Sequence, residues 1–184
     1  MKTILSIIGA IGSGKDTAAK YLSEKLSIPA FEISKPIKDF VIGQGLEPTR
    51  ENLTVLGSKL VKENGPEFLP KALIDKTSQD LIIITGIRVP KIIKYLRENH
   101  NLILLAITAE PEVRFQRSIV RNKLGEAKTF EEFIKNEKVE NSPPNAQRLF
   151  ECMKLADYTI SNDADLETFF RKIDDFLKLK KLAS

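Results

Sequence analysis

Gly9-Ala10-Ile11-Gly12-Ser13-Gly14-Lys15-Asp16-Thr17 follows the apolar run Thr3–Ile8. Its spacing (glycine, four residues, glycine, lysine) decides how the chain folds around it. A buried strand that ends in such a turn and hands over to a helix builds an anion cradle. Gly12 and Gly14 lack a Cβ and can take positive φ, so neighbouring main-chain N–H groups can turn inward on an anion. A helix opening near Lys15 directs its positive end at the same place. Lys15 adds a full charge on a long stem. The plainer alternative is a glycine-rich turn with an incidental lysine. Strand, spacing and helix together weigh against it, and Gly9, Ala10, Ile11, Gly12, Ser13, Gly14, Lys15, Asp16 and Thr17 become the candidate phosphate-binding set.

Asp16 is the departure. In the usual loop a hydroxyl follows the lysine and binds Mg²⁺; here the first hydroxyl is Thr17. A carboxylate beside a polyphosphate is repulsive unless a cation or proton intervenes. Asp16 therefore faces Mg²⁺, accepts a proton from the phosphate acceptor, or points away as a first-turn charge favoured by the helix dipole.

Length and composition set the frame. The 184 residues suit one domain with one sizeable core, with 42% apolar and 29% charged residues as in soluble globular chains. The nine glycines and nine prolines are scattered, leaving no linker and no repeat. A net charge of +4 suits anionic small molecules as well as nucleic acid. Aromatic residues do not alternate with Lys or Arg, so no nucleic-acid surface is expected. Cys152 is the single cysteine; it forbids an internal disulfide, fits a reducing cytosol and reads as a buried structural thiol. The apolar start ends at Gly9 and reads as a core strand rather than a leader. No stretch reaches the roughly 18 apolar residues of a membrane span. Oligomeric state is left open.

Five short apolar runs stand out: Thr3–Ile8, Ile28–Ile33, Leu81–Thr85, Leu102–Thr108 and Tyr158–Ser161. Most are nearly continuous, as a sheet covered on both faces requires. Helical patterns lie between them, over Thr17–Leu26, around Leu53, Leu56 and Leu60, over Val89–Glu98 and over Pro111–Leu124, with Gly125 as a C-terminal stop. Thr129-Phe-Glu-Glu132 reads as a capping box. A last helix from Asp165 carries Leu166, Phe169, Phe170, Ile173, Phe176 and Leu177 on one face, which describes a helix docked on a core. Strand and helix in alternation imply parallel strands with right-handed crossovers. Between the second and third strands, Ser34 to Gln79, the chain spends 46 residues. A plain crossover needs far fewer, so a helical insertion that covers something is expected there.

With the loop placed, the stretches "GAIGSGKDT", "GLEPTRENLTVLGSKLVKENGPE", "ITGIR", "PEVRFQRSIVR", "TFEEFIKNE" and "LADYTISNDADLETF" resemble P-loop kinases of the adenylate kinase and dephospho-CoA kinase type. The likeness extends over most of the chain and includes nucleoside monophosphate kinases, in which Gly or Asp also stands between Lys and Thr. The resemblance implies a three-layer α/β fold with five parallel strands in the order 2-3-1-4-5. It implies an acceptor-binding insertion over 34–79 and a small lid over 121–140, all within one domain, 1–184. It implies ATP as cofactor and Mg²⁺ held near Thr17, largely through water. One position departs from it. Where these relatives carry Asp at the end of the third strand, this chain has Thr85, in "IIITGIR". A hydroxyl orders a water but carries no charge. Asp80 stands at the wrong end of that strand, because ligands gather at the carboxyl ends. Asp16 and Glu32 are then the nearest candidate carboxylates.

A site that moves a phosphoryl group needs cations beyond Lys15. Arg114, Arg117 and Arg121, at i, i+3 and i+7, fall within about 60° on one helix face. Like charges so placed repel by a few tenths of a kcal/mol per pair, so something anionic should face them. Ion pairing with Glu110, Glu112 or the stretch Glu131–Glu140 is the plain alternative. In the resembling kinases arginines at this place contact phosphates, which nominates Arg117 and Arg121 as catalytic beside Lys15 and Asp16, with Arg114 on the same face. Arg88, directly after the third strand, is a candidate for the acceptor's phosphate, or a cap on a loop carbonyl. Glu32, Ser34, Lys35 and Arg50 complete the substrate-side candidates, although Ser34 before Pro36 also reads as a plain N-cap. Asn162 and Asp163 are candidates for the nucleotide base, or a helix cap. His100 reads as a solvated turn residue. The expected function is ATP-dependent phosphorylation of a small phosphorylated metabolite, a (deoxy)nucleoside monophosphate first and dephospho-CoA second. A nucleotide-driven switch without a small acceptor and an RNA-associated ATPase are the alternatives from other classes.

Overall fold

The computed structural model describes residues 1–121, 127–142 and 148–182, apart from the side chain of Arg50. Along the chain run β1 (Thr3–Ile8), α1 (Lys15–Leu26), β2 (Ala30–Glu32), α2 (Lys35–Gly43), α3 (Arg50–Asn64), α4 (Phe68–Ile74), β3 (Leu81–Thr85) and α5 (Pro90–Asn99). They continue with β4 (Asn101–Thr108), α6 (Pro111–Arg121), α7 (Phe130–Glu140), α8 (Leu149–Lys154), β5 (Tyr158–Ser161) and α9 (Leu166–Lys180). The strands form one sheet in the order β2-β3-β1-β4-β5, and every pairing is parallel. Both the parallel sheet and its order match the expectation.

The three layers follow from the period of two along each strand. Ile4 and Ile8 of β1, Ile82 and Ile84 of β3 and Leu104 of β4 turn to one face, where α4, α5 and α8 cover them with Leu73, Ile92, Leu96 and Cys152. Leu5, Ile7, Ile83, Leu105 and Ile107 turn to the other face, against Ala18 and Leu22 of α1 and Phe169, Ile173 and Phe176 of α9. Burying each of these large side chains contributes about 1.5–3 kcal/mol, so both helical layers are held without disulfides. Cys152 is fully buried.

Two sequence expectations about elements are corrected. The second strand spans only Ala30–Glu32, not Ile28–Ile33. Ser27 ends α1 in the left-handed conformation, φ 51°, and the Ile28 N–H bonds back to Ser23 O. Pro29 has no N–H to give, so the ladder cannot begin before Ala30. Ser34 is also not an N-cap through its side chain. Its φ of −80° and ψ of −7° are already helical and its hydroxyl makes no capping bond; its carbonyl instead accepts from Ile37 and Lys38.

Other local signals correspond to what forms. Thr129 Oγ1 accepts from Glu132 N, and Glu132 Oε2 accepts from Lys128 N. Asp165 caps α9 through Thr168 N. The 34–79 excursion contains α2, α3 and α4. Behind the Thr129 capping box α7 opens at Phe130; Gly125 lies outside the described residues. No helix among the described residues is long and apolar enough to cross a membrane.

Candidate functional site

The glycine loop Gly9–Gly14 leaves β1 at the carboxyl edge of the sheet and enters α1 at Lys15. Gly12 has φ +78°, and a Cβ there would lie 2.3 Å from the Arg114 carbonyl oxygen. Gly14 has φ +93°, and its Cβ would lie 2.2 Å from the Asn162 amide nitrogen. Both positions thus need glycine twice over, for conformation and for space. Ser13 N–H closes a turn on Ala10 O at 3.1 Å, and Ser13 is fully buried.

A cavity of about 1190 Å³ opens beside the loop. Ala10, Ile11, Lys15 and Asp16 form one end, and Glu32, Ser34, Lys38, Thr85 and Arg88 form the strand-edge wall. Ile37 and Leu69 come from the insertion, and Phe133, Glu137 and Glu140 come from α7. Phe115 of α6 holds α7 in place through ring contacts to Phe130 and Phe133, each 5.7 Å between centroids.

The cavity's charges come mostly in pairs. Lys15 Nζ lies 3.1 Å from Asp16 Oδ2; the lysine is mostly enclosed and the carboxylate mostly exposed. Lys38 pairs with Glu32. Burial opposes the charge on Glu32, but Lys38, the adjacent Ser34 hydroxyl and Lys15 outweigh it and hold the carboxyl below its ordinary range. That hydroxyl is buried with no hydrogen bond of good geometry. Arg88 pairs with Glu140 at 3.3 Å. A carboxylate held ionised this way is suited to accept a hydrogen bond from a hydroxyl or ammonium group, and the paired cations can exchange a carboxylate for a phosphate.

The sequence-nominated residues separate in three dimensions. Arg121 lines the cavity. Arg117 is half-buried and donates to Gly12 O at 3.4 Å. Arg114 is buried, 6% exposed, and makes a two-point ion pair with Glu137 at 2.6 and 2.9 Å. For Arg114 the ion-pairing alternative is the one realised. Lys35 bonds Asp39 on the outer side of α2 and is not part of the cavity wall; Lys38, one turn on, takes that place. Asn162 is buried, and its side chain donates to Ser13 O at 2.9 Å. It braces the loop from behind and is not part of the cavity wall. Asp163 Oδ1 accepts from Glu110 N. Thr17 is exposed in the first turn of α1. The Arg50 side chain lies outside the described residues. His100 is half-buried with an unpartnered Nδ1, not a solvated turn residue.

Lys38, Glu137 and Glu140 were not singled out from the sequence. A signal existed. Phe133, Asn136, Glu137 and Glu140 recur at i, i+3, i+4 and i+7 behind the capping box, one face of one helix.

For Mg²⁺ the donor set is oxygen-only and sparse. Among the described residues no three His, Cys, Asp or Glu side chains gather as a metal cage. Asp16 and Thr17 stand at the start of α1, and Thr85 Oγ1 faces Phe31 O at 3.5 Å. Such a set fits Mg²⁺ that arrives with a polyphosphate and keeps several waters, and does not fit a dedicated protein cage.

No family model matches the chain. A UPF0200 protein of Pyrococcus horikoshii is 31% identical over 179 residues, which cover 93% of this chain and 94% of that one. The chain belongs to the UPF0200 family. A UPF0200 protein of Pyrococcus abyssi is 30% identical over 183 residues, 95% of each chain. Among solved structures, shikimate kinase from Bacteroides thetaiotaomicron matches this UPF0200 chain with TM-score 0.63 at 15% identity, covering 97% of this chain and 98% of that one. Shikimate kinase from Aquifex aeolicus matches with TM-score 0.57 at 18% identity, covering 98% and 99%. At such identities the likeness is one of fold: the P-loop small-molecule kinase fold. The finer grouping with nucleoside monophosphate or dephospho-CoA kinases stays a proposal.

Proposed function

We propose that this UPF0200 protein is an ATP-dependent phosphotransferase acting on a small phosphorylated metabolite. A (deoxy)nucleoside monophosphate is the first candidate acceptor and dephospho-CoA the second. One observation carries the reading: a single cavity joins the phosphate loop at Lys15 to the charged wall of Glu32, Lys38 and Arg88. A donor phosphate at one end and an acceptor at the other would meet within it.

The roles follow from the chemistry of phosphoryl transfer, which is mainly positioning and neutralisation of charge. Loop amides and Lys15 hold the terminal phosphates. Arg121 neutralises charge on the moving group, with Arg117 behind it at the loop. Glu32 orients the acceptor, and Lys38 and Arg88 receive its anionic group. Thr17 and Asp16 would hold, through water, a Mg²⁺ that arrives with ATP, and the ion would supply charge neutralisation. Within the segment over 121–140, the α7 wall acts as the lid that excludes water. The single free thiol, Cys152, suits a reducing cytosol.

The test is an ATP-consumption screen across nucleoside monophosphates, deoxynucleoside monophosphates and dephospho-CoA, with Lys15→Ala as the blank. Acceleration by one compound supports the reading, and a response flat at the level of the blank overturns it. Thr85 in place of a carboxylate favours a second reading, a nucleotide-driven switch. Slow ATP hydrolysis above the blank that no acceptor accelerates would select it.

A further inference from the structure

Three consecutive main-chain oxygens of the phosphate loop each accept a bond from a side chain outside it. Ile11 O accepts from Arg114 Nη1 at 3.3 Å, Gly12 O from Arg117 Nη1 at 3.4 Å, and Ser13 O from Asn162 Nδ2 at 2.9 Å. Two donors stand on α6 and the third just past β5. In a trans peptide the carbonyl and the following N–H point in opposite directions. Oxygens held toward α6 and β5 therefore send the Gly12 and Gly14 N–H groups away from them, as a phosphate cradle requires.

Arg114 is held by further contacts besides Ile11 O. Its Nε donates to Ala109 O at 3.1 Å, its fork grips both oxygens of Glu137, and its guanidinium lies 5.4 Å from the Phe133 ring centroid. The ion-paired side chains are only 7% and 16% exposed. The direction in which Nη1 reaches Ile11 O is thus set by Glu137, a residue of α7 that also lines the cavity.

We propose that Arg114 and Glu137 are positioning residues for the phosphate loop: Glu137 fixes the guanidinium, and the guanidinium fixes the Ile11 carbonyl and the amide that follows it. The wall built by α7 is thereby coupled to the phosphate end of the cavity. This rests on the reading of Gly9–Thr17 as a polyphosphate cradle. A buried ion pair that merely ties α6 to α7 would affect stability and leave phosphate affinity alone, and the two roles separate on that point.

The experiment measures binding of tripolyphosphate and of ATP to the full chain by calorimetry, with melting temperature followed in parallel. The informative variant is Arg114→Met with Glu137→Met. Apolar replacement of a whole buried ion pair is often neutral for stability, yet it strips Ile11 O of its donor. The double variant is expected to melt close to the wild type and to bind both ligands about tenfold more weakly, the worth of a lost charge-assisted hydrogen bond. Arg114→Lys, which can reach one acceptor but not both, should fall between. A folded double variant with wild-type affinity overturns the proposal. If the double variant does not fold, Glu137→Gln decides: about tenfold weaker binding supports the proposal, and unchanged binding overturns it. A wild type that binds neither ligand overturns the cradle reading together with this inference, whereas a wild type that binds both while the variants match it overturns this inference alone.

Discussion

The side-chain amide of Asn162 donates to the main-chain oxygen of Ser13 at 2.9 Å, inside the protein. The residues are 149 positions apart, and the bond ties the end of β5 to the turn after β1. Asn162→Asp replaces the donor by an acceptor, faces two oxygens at each other and buries a charge. The expected loss is about 3 kcal/mol of stability, read by urea denaturation. A variant as stable as the wild type would show that the amide is not a brace.

Gly12 meets α6 with no room to spare. Gly12→Ala would place a methyl group 2.3 Å from the Arg114 carbonyl oxygen, at a φ of +78° that costs an L-residue roughly 1–2 kcal/mol by itself. With overpacking added, the expected total is about 2–5 kcal/mol. Chemical denaturation and ATP binding should both suffer; a loss of neither would mean that α6 does not bear on the loop.

Arg121 separates binding from turnover, on the proposed kinase reading. Its contact should strengthen as charge builds on the transferring oxygens, so Arg121→Ala should lower kcat by roughly a hundredfold with little change in ATP affinity. Equal losses in kcat and affinity would make it a binding residue only.

His100 is the single histidine, so its titration can be followed without ambiguity. Burial first, then the N-terminal ammonium and Lys2, push its pKa below the ordinary 6.5, against a pull from Asp75 in the other direction. The unfolded chain therefore takes up the proton at a higher pH than the folded one. Stability is present in full above pH 6.5 and is lost progressively as the pH falls from there through the depressed folded value. An NMR titration should give a midpoint below 6.5, and His100→Asn should flatten that part of the stability curve. A midpoint at or above the ordinary value would contradict the burial.

Cys152 is fully buried. Burial, with a further push from Glu151 against weaker opposition from Arg148, raises its thiol pKa to about 12. Little thiolate exists at neutral pH, and reagents cannot reach it. A disulfide-exchange reagent at pH 8 should react only on denaturation; rapid reaction of the native protein would place the thiol at the surface.

The parallel sheet was legible because its cause is local. Runs such as Leu81–Thr85 are apolar on successive residues, and only a strand covered on both faces needs that. The strand order came from resemblance, since no residue pattern states which strand lies beside which. The start of β2 was missed because the Ile28 N–H is taken by Ser23 O, a bond that depends on how α1 terminates.

For the site, the sequence by itself determined the glycine loop between β1 and α1, since glycine spacing and helix start are properties of a few adjacent residues. It also determined that Arg114, Arg117 and Arg121 share a helix face. What each meets there, only the tertiary structure decided. Arg114 is taken by Glu137, 23 positions on, Arg117 by Gly12, 105 positions back, and Arg121 stands at the cavity. Helical periodicity fixes the direction in which a side chain leaves its own axis. Which partner waits there depends on elements brought close by core packing, and that is settled when the two hydrophobic faces of the sheet are covered together.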